Sequence, residues 1–291
     1  MLFMKTCVSS YSFSSYMSKS GADQAQLVSL AAEMGFDAIE FTDLNVPDGM
    51  SETEYAGVIR AESEKYSLPV AAYTIGADFL NCKDADEEIG RVCKKIDVAS
   101  VLGAPVLRHD ATVGYNDERK KYSSFDTALP VLARACKNVT DYARAKGIET
   151  TVENHGFFCQ ESGRVERLIG KVNDPNFGWL VDIGNFLCAD EEPASAVGRA
   201  ACYAKHVHVK DFHIKSGSEF DPGRGFFTSR AGTYLRGAVL GQGNVPVYQC
   251  LRILKKSGYD GYVSLEFEGI EDNLPALETG LENLKKMIAA L

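Results

Sequence analysis

Eight short runs rich in Val, Ile and aromatic residues alternate with longer amphipathic stretches, and this rhythm constrains the fold most. The candidate strands are Cys7–Phe13, Ala38–Thr42, Val70–Ile75, Val106–Asp110, Glu149–His155, Phe177–Ile183, His206–Phe212 and Tyr262–Glu268. Ala22–Met34, Asp84–Leu102, Ala128–Lys146 and Leu274–Leu291 repeat apolar residues with the helical period, as at Ile89, Val92, Cys93, Ile96 and Ala99. Gly35, Gly103, Gly147 and Gly258 stand where a helix must stop before the next strand. Asp126 or Thr127 is expected to cap the helix near 128, and Asp174-Pro175 marks a break before the sixth strand. Eight strand-then-helix units predict an α/β chain folded as a single (β/α)8 TIM barrel over residues 1–291. The alternative is an open doubly wound sheet, but no glycine-rich fingerprint follows the first strand.

One connection breaks the rhythm. Ile214 to Asn244, after the seventh strand, is long and has little periodicity. It carries seven glycines, three arginines (Arg224, Arg230, Arg236) and Phe226, Phe227 and Tyr234. Such composition does not suit a solvated linker. The expectation is an extended loop acting as a lid or wall over the C-terminal face of the barrel; a surface or oligomer-contact loop is the other reading.

Composition narrows the partners. Net charge is −9 and the sequence pI about 5.2, which argues against nucleic acid and anionic membranes, whose phosphates recruit Lys and Arg. No apolar run approaches the ~18 residues of a membrane span. The eight cysteines are scattered without a C-x-x-C pair and read as reduced thiols of a cytoplasmic protein. The N-terminus has no basic segment followed by an apolar run, so no secretory leader is expected.

Four of the apolar runs end on charge or imidazole: Glu153, Asp182, His208 and Glu266. Function in such barrels sits at the C-terminal strand ends, and buried charges need partners or a metal. Four separate salt bridges would explain them less economically than one divalent site. Three carboxylates and one imidazole suit Mn²⁺ best, with Mg²⁺, Co²⁺ or Zn²⁺ as alternatives. A metal there can hold two adjacent sugar oxygens and stabilise an enediolate while glutamates exchange protons with carbon. Glu153 and Glu266 are candidate acid/base groups flanking that carbon. His155 is a further acid/base candidate, and Lys210, Arg236, Asn185, His109 and Glu268 are candidate substrate contacts or supports. Asp182-Ile183-Gly184-Asn185 also reads as a turn, and Trp179 as core packing.

Val152-Glu153-Asn154-His155, Val181-Asp182-Ile183-Gly184-Asn185, His206-Val207-His208-Val209-Lys210-Asp211, the Arg236–Gly243 segment and Ser264-Leu265-Glu266 together resemble the xylose isomerase-like TIM-barrel superfamily of sugar isomerases and epimerases. The resemblance covers nearly the whole chain. It implies a divalent metal on Glu153, Asp182, His208 and Glu266, with the two glutamates exchanging the proton as in the ketose 3-epimerase branch. Those epimerases often carry His where this chain has Asn185. The long lid and the Glu153-Asn154-His155 triplet look more like branches acting on keto-glycosides or keto-inositols. The expectation is a metal-dependent sugar isomerase or epimerase. A lyase of the same superfamily is the alternative, either cleaving keto- or C-glycosides or dehydrating inososes. A non-catalytic sugar-binding barrel is a further reading. A DNA-repair endonuclease of this barrel type is disfavoured, because that branch uses three zinc ions and more than the five histidines present. Family habit implies a homo-oligomer or a hetero-oligomer with a small partner subunit.

Overall fold

A computed structural model describes residues 4–121 and 123–291. Eight parallel strands close into a barrel: β1 (Lys5–Ser9), β2 (Ala38–Thr42), β3 (Val70–Ile75), β4 (Val106–His109), β5 (Glu149–Glu153), β6 (Phe177–Asp182), β7 (Ala204–Val209) and the last barrel strand, β11 (Tyr262–Leu265). Each neighbours its sequence predecessor, and β11 closes the ring by pairing with both β7 and β1. The chain is thus a single (β/α)8 barrel, as the alternation predicts. Every central strand is covered on both faces, so its runs are apolar without a polar side.

The helical layer follows from capping as well as from periodicity. Gly35, Gly103, Gly147 and Gly258 all adopt positive φ, the conformation that terminates helices where other residues would be strained. The expected cap on the helix Phe125–Arg144, Asp126 or Thr127, is corrected to a residue just before the helix. Ser124 is the cap, and the Thr127 hydroxyl accepts from its backbone N–H at 3.0 Å. Several strands end earlier than their expected runs: the fifth at Glu153 and not His155, the eighth at Leu265 and not Glu268. The first strand stops at Ser9, where a short 3-10 turn carries Tyr11 to the barrel mouth, and His206–Phe212 divides at Lys210 into β7 and a separate strand, β8 (Asp211–Lys215).

That division explains the long connection. It is not structureless: β8 pairs antiparallel with β10 (Tyr234–Ala238), which pairs with the short β9 (Phe227–Thr228). Phe212 and Leu235 are fully buried beneath this small sheet. Asp211 ties down its base. One carboxylate oxygen accepts from Gly241 N and Gly243 N at 2.9 and 2.8 Å, and the other from Val245 N at 3.0 Å. A Cβ on Gly243 would lie 2.2 Å from Asp211 Oδ1, so the close approach requires glycine. Arg230 reaches from the same segment to Glu161 and to the carbonyl of Phe157, fastening the connection to the loop after β5.

Candidate metal centre

β5, β6, β7 and β11 end side by side, and their last inward side chains converge. His208 Nδ1 lies 3.3 Å from Glu266 Oε1, 3.9 Å from Glu153 Oε1 and 3.9 Å from Asp182 Oδ2. The four strand ends singled out in the sequence therefore surround one point. All four side chains are at least nine-tenths buried.

Asp182 has two duties, one per oxygen. Its Oδ1 accepts from the backbone N–H groups of Gly184 and Asn185 at 2.8 and 2.9 Å, forming the turn that the sequence also suggested. Its Oδ2 faces the centre without a hydrogen bond, and so does His208 Nδ1. Neither atom has a hydrogen bond of good geometry among the described residues; Lys210 Nζ at 3.1 Å is the cation beside Oδ2, and Glu266 Oε1 at 3.3 Å is the nearest carboxylate oxygen to His208 Nδ1. Asn154 braces the arrangement: it donates to Asp182 O and accepts from Trp179 Nε1 and Asp182 N. Trp179 is fully buried, as expected of core packing.

Charge balance points the same way. Four carboxylates exposed by 10% or less, Glu40, Glu153, Asp182 and Glu266, face two permanent cations, Arg108 and Lys210. Lys210 Nζ sits 2.8 Å from Glu266 Oε2 and 3.1 Å from Asp182 Oδ2. Burial opposes its charge, but Asp182 and Glu266 outweigh burial and hold its pKa well above the ordinary lysine value. Burial likewise opposes a charge on His208, yet Glu266 and Glu40 raise its pKa well above that of free histidine. Asp182 is shifted upward by burial, against the pull of Lys210. Glu266 is held well below the usual carboxylate range because His208 and Lys210 overcome its burial. The remaining excess of negative charge fits a divalent cation: Glu153, Asp182 and His208 bring two oxygens and one nitrogen together, and Glu266 Oε1 stands 3.3 Å from His208 Nδ1.

Above the centre opens a cavity of about 230 Å³, lined by Tyr11, Thr42, Thr74, Arg108, His155, Lys210 and Glu268 besides Glu153, His208 and Glu266. His155 Nδ1 contacts Asp110 Oδ1 at 3.0 Å, and its side chain remains 48% exposed. Burial disfavours the protonated ring, but the hydrogen bond with Asp110 prevails and raises its pKa. Asp110 itself is lowered to about 2, its burial offset by Arg108. Glu268 lines the cavity 3.9 Å from Lys210.

Three expected substrate contacts lie elsewhere. Asn185 donates to Glu153 Oε1 at 2.9 Å, bracing a carboxylate instead of lining the cavity. Arg236 lies over the Phe226 ring and 3.3 Å from Glu271, outside the cavity wall. His109 is fully buried between Phe79 and Phe177, because strand alternation turns it outward and its neighbour Arg108 inward. Burial pushes the His109 pKa from 6.5 down to about 4. The unfolded chain therefore binds a proton below pH 6.5 that the folded chain refuses until about pH 4. Relative to a His109→Gln variant, wild-type stability should fall by about 3 kcal/mol as pH drops through that window. Denaturant melts of both proteins at pH 7 and pH 4 check this; an unchanged gap would contradict it.

Two residues in the centre escaped the sequence reading. Arg108 places NH2 2.6 Å from Glu153 Oε2, fixing that carboxylate from behind. Glu40, from β2, contacts His206 Nε2 at 2.7 Å and His208 Nε2 at 2.8 Å. His208 and His206 outweigh the burial of Glu40 and keep its pKa far below the usual carboxylate range. Glu40 carries a visible signal, a charge within the otherwise apolar Ala38-Ile39-Glu40-Phe41, whereas Arg108 lies among polar neighbours.

A family model described as xylose isomerase-like TIM barrel matches residues 28–287. The chain belongs to this family. An inosose dehydratase of Lacticaseibacillus casei is 24% identical over 200 residues, covering 65% of this chain and 66% of the relative. The match thus spans just under two thirds of that relative's length. An inosose dehydratase of Clostridium perfringens (strain 13 / Type A) is 23% identical over 248 residues, 84% of this chain and 75% of the relative. Among solved structures, the IOLI protein with a bound zinc atom superposes with a TM-score of 0.74 at 17% identity, covering 99% of each chain. The D-allulose 3-epimerase of Methylomonas sp. superposes with a TM-score of 0.71 at 18% identity, covering 99% of this chain and 100% of its own. At such identities the structural likeness is one of fold. Among the described residues, no helix is long and apolar enough to cross a membrane.

Proposed function

We propose that this barrel is a divalent-metal-dependent enzyme that removes a proton from a carbon next to the carbonyl of a keto-sugar or keto-polyol. The observation carrying this reading is the convergence of the buried Glu153, Asp182, His208 and Glu266 side chains, with His208 Nδ1 3.3–3.9 Å from a carboxylate oxygen of each of the other three. These four residues would hold the cation. When bound, it supplies positive charge to a carbonyl oxygen as the neighbouring carbon loses its proton.

The remaining work falls to the chain itself. Glu266 reaches the cavity from one side and Glu153 from the other, placing two carboxylates where a proton can leave and return. Arg108 and Asn185 hold Glu153 in a fixed orientation. His155, backed by Asp110, presents an imidazole on the cavity wall suited to exchanging a proton with a substrate hydroxyl. Lys210 and Glu268 bracket the same space and orient hydroxyls by donating and accepting. The cavity of about 230 Å³ suits a small polyol ring, and its polar lining suits hydroxyl-rich ligands.

Return of the proton makes the enzyme an isomerase or epimerase. A second reading, loss of the adjacent hydroxyl as water, is favoured by the inosose dehydratases among its relatives and by His155 as a proton donor to that hydroxyl. Incubation of metal-loaded protein in D₂O with ketoses, keto-glycosides and inososes, followed by NMR, separates these outcomes. Deuterium at the carbon beside the carbonyl with an inverted centre or a moved carbonyl assigns the isomerase class. An unsaturated product assigns the dehydratase, and released aglycone assigns glycoside cleavage. No exchange with any member of the panel would contradict the proposal.

A further inference from the structure

We infer that Glu40 is a positioning residue that fixes how His208 presents itself to the metal centre. The inference rests on the metal-site reading above and extends it to a residue on the opposite side of the barrel. β2 and β7 are not neighbours; β1 and β11 lie between them, so Glu40 reaches across the barrel interior. Its side chain is fully buried, as are those of His206 and His208 within 3%.

The pairing is divided between the two carboxylate oxygens. Oε2 takes His206 Nε2 at 2.7 Å, and Oε1 lies 2.8 Å from His208 Nε2. The contact with His206 is a hydrogen bond, whereas the one with His208 is a close ion-pair contact; among the described residues neither Glu40 Oε1 nor His208 Nε2 has a hydrogen-bond partner, so each is the nearest polar group the other has. A neutral imidazole carries one proton, so its two nitrogens have opposite roles. A carboxylate 2.8 Å from Nε2 holds the proton there and leaves the Nδ1 lone pair facing Glu266, Asp182 and Glu153. An outer carboxylate of this kind also fixes the plane of a ligand ring and strengthens its donor nitrogen. His206 completes the device. It occupies the second oxygen of Glu40 and packs edge-on against His208, with ring centroids 5.6 Å apart, so neither partner can turn away.

Glu40, His206 and His208 also lie close enough to one another to resemble a small metal cluster. Enclosure argues against that: Glu40 and His206 are buried away from the cavity, and only His208 reaches its wall, so a cation among the three would have no open face for water or a fourth ligand. Their short contacts are one hydrogen bond, Glu40 with His206, and one close ion-pair contact, Glu40 with His208.

The test is titration of metal-free protein with Mn²⁺, read by the electron paramagnetic resonance signal of free Mn²⁺ and by calorimetry. Wild type should bind one equivalent, and Glu40→Gln should bind it 10–100-fold more weakly while its thermal transition stays cooperative. Glu40→Gln binding at wild-type affinity would overturn the inference, leaving Glu40 a packing residue. Two equivalents in wild type, with one lost in the variant, would replace it with a second metal site. Absence of Mn²⁺ binding in wild type would instead overturn the metal-site reading beneath it. Should Glu40→Gln fail to fold, ¹⁵N NMR of Zn²⁺-loaded wild type decides. A proton on Nε2 of His208 supports the inference, and a proton on Nδ1 overturns it.

Discussion

Asp182→Asn is expected to reduce divalent-metal affinity by at least about 100-fold, more than loss of an outer partner of a ligand typically does. The change keeps the size of the side chain but makes its charge zero. The carboxamide oxygen can still serve the turn through Gly184 N and Asn185 N. It then directs an NH₂ group toward His208 Nδ1, where the wild type directs an acceptor. A site built from opposed acceptors is thereby turned into a hydrogen-bonded pair. The variant should also lose the rise in melting temperature that saturating Mn²⁺ confers on wild type, since ligand stabilisation follows occupancy. Isothermal titration and thermal melts with and without Mn²⁺ check both effects. Wild-type affinity in the variant would remove Asp182 from the ligand set.

The second large effect is kinetic. His155→Gln should lower kcat by about 10²–10⁴-fold, the usual range for loss of a positioned proton-transfer group. Metal affinity should stay at the wild-type value, because His155 makes its one polar contact with Asp110 and none with the four converging side chains. The side chain is half exposed at the cavity wall, so the substitution leaves packing nearly intact. Asp110→Asn should reproduce part of the loss by freeing the ring to turn, with a smaller effect on substrate affinity than on kcat. Activity measured on whichever substrate exchanges deuterium separates these outcomes. A His155→Gln enzyme with unchanged kcat would confine His155 to a loop-bracing role.

The barrel was legible because short strands rich in apolar residues alternate with amphipathic helices, four of which run into a glycine at positive φ: Gly35, Gly103, Gly147 and Gly258. The converging set was legible for the opposite reason: Glu153, Asp182, His208 and Glu266 interrupt that pattern at strand ends. Glu40 breaks it in the same way, within Ala38-Ile39-Glu40-Phe41, but sits in the first half of the barrel, and only closure of the sheet shows that it reaches β7. Arg108 was masked by its neighbours, since Arg108, His109 and Asp110 are all polar and only the pleat decides which of them faces inward. The small sheet after β7 was hidden because β8 and β10 pair across a stretch rich in glycine, where neither strand alone has a long alternation. Pairings of that kind depend on register, and register is set by the partner strand and by burial, not by local composition.

Four strand ends forming one metal site would place a cation among Glu153, Asp182, His208 and Glu266. Crystals of the protein grown with Mn²⁺, with anomalous data collected on both sides of the manganese edge, test it most directly. A single anomalous peak is expected within about 2.5 Å of Glu153, Asp182, His208 Nδ1 and Glu266. Metal-replete crystals with no peak there, or with the ion bound elsewhere on the barrel, would contradict it.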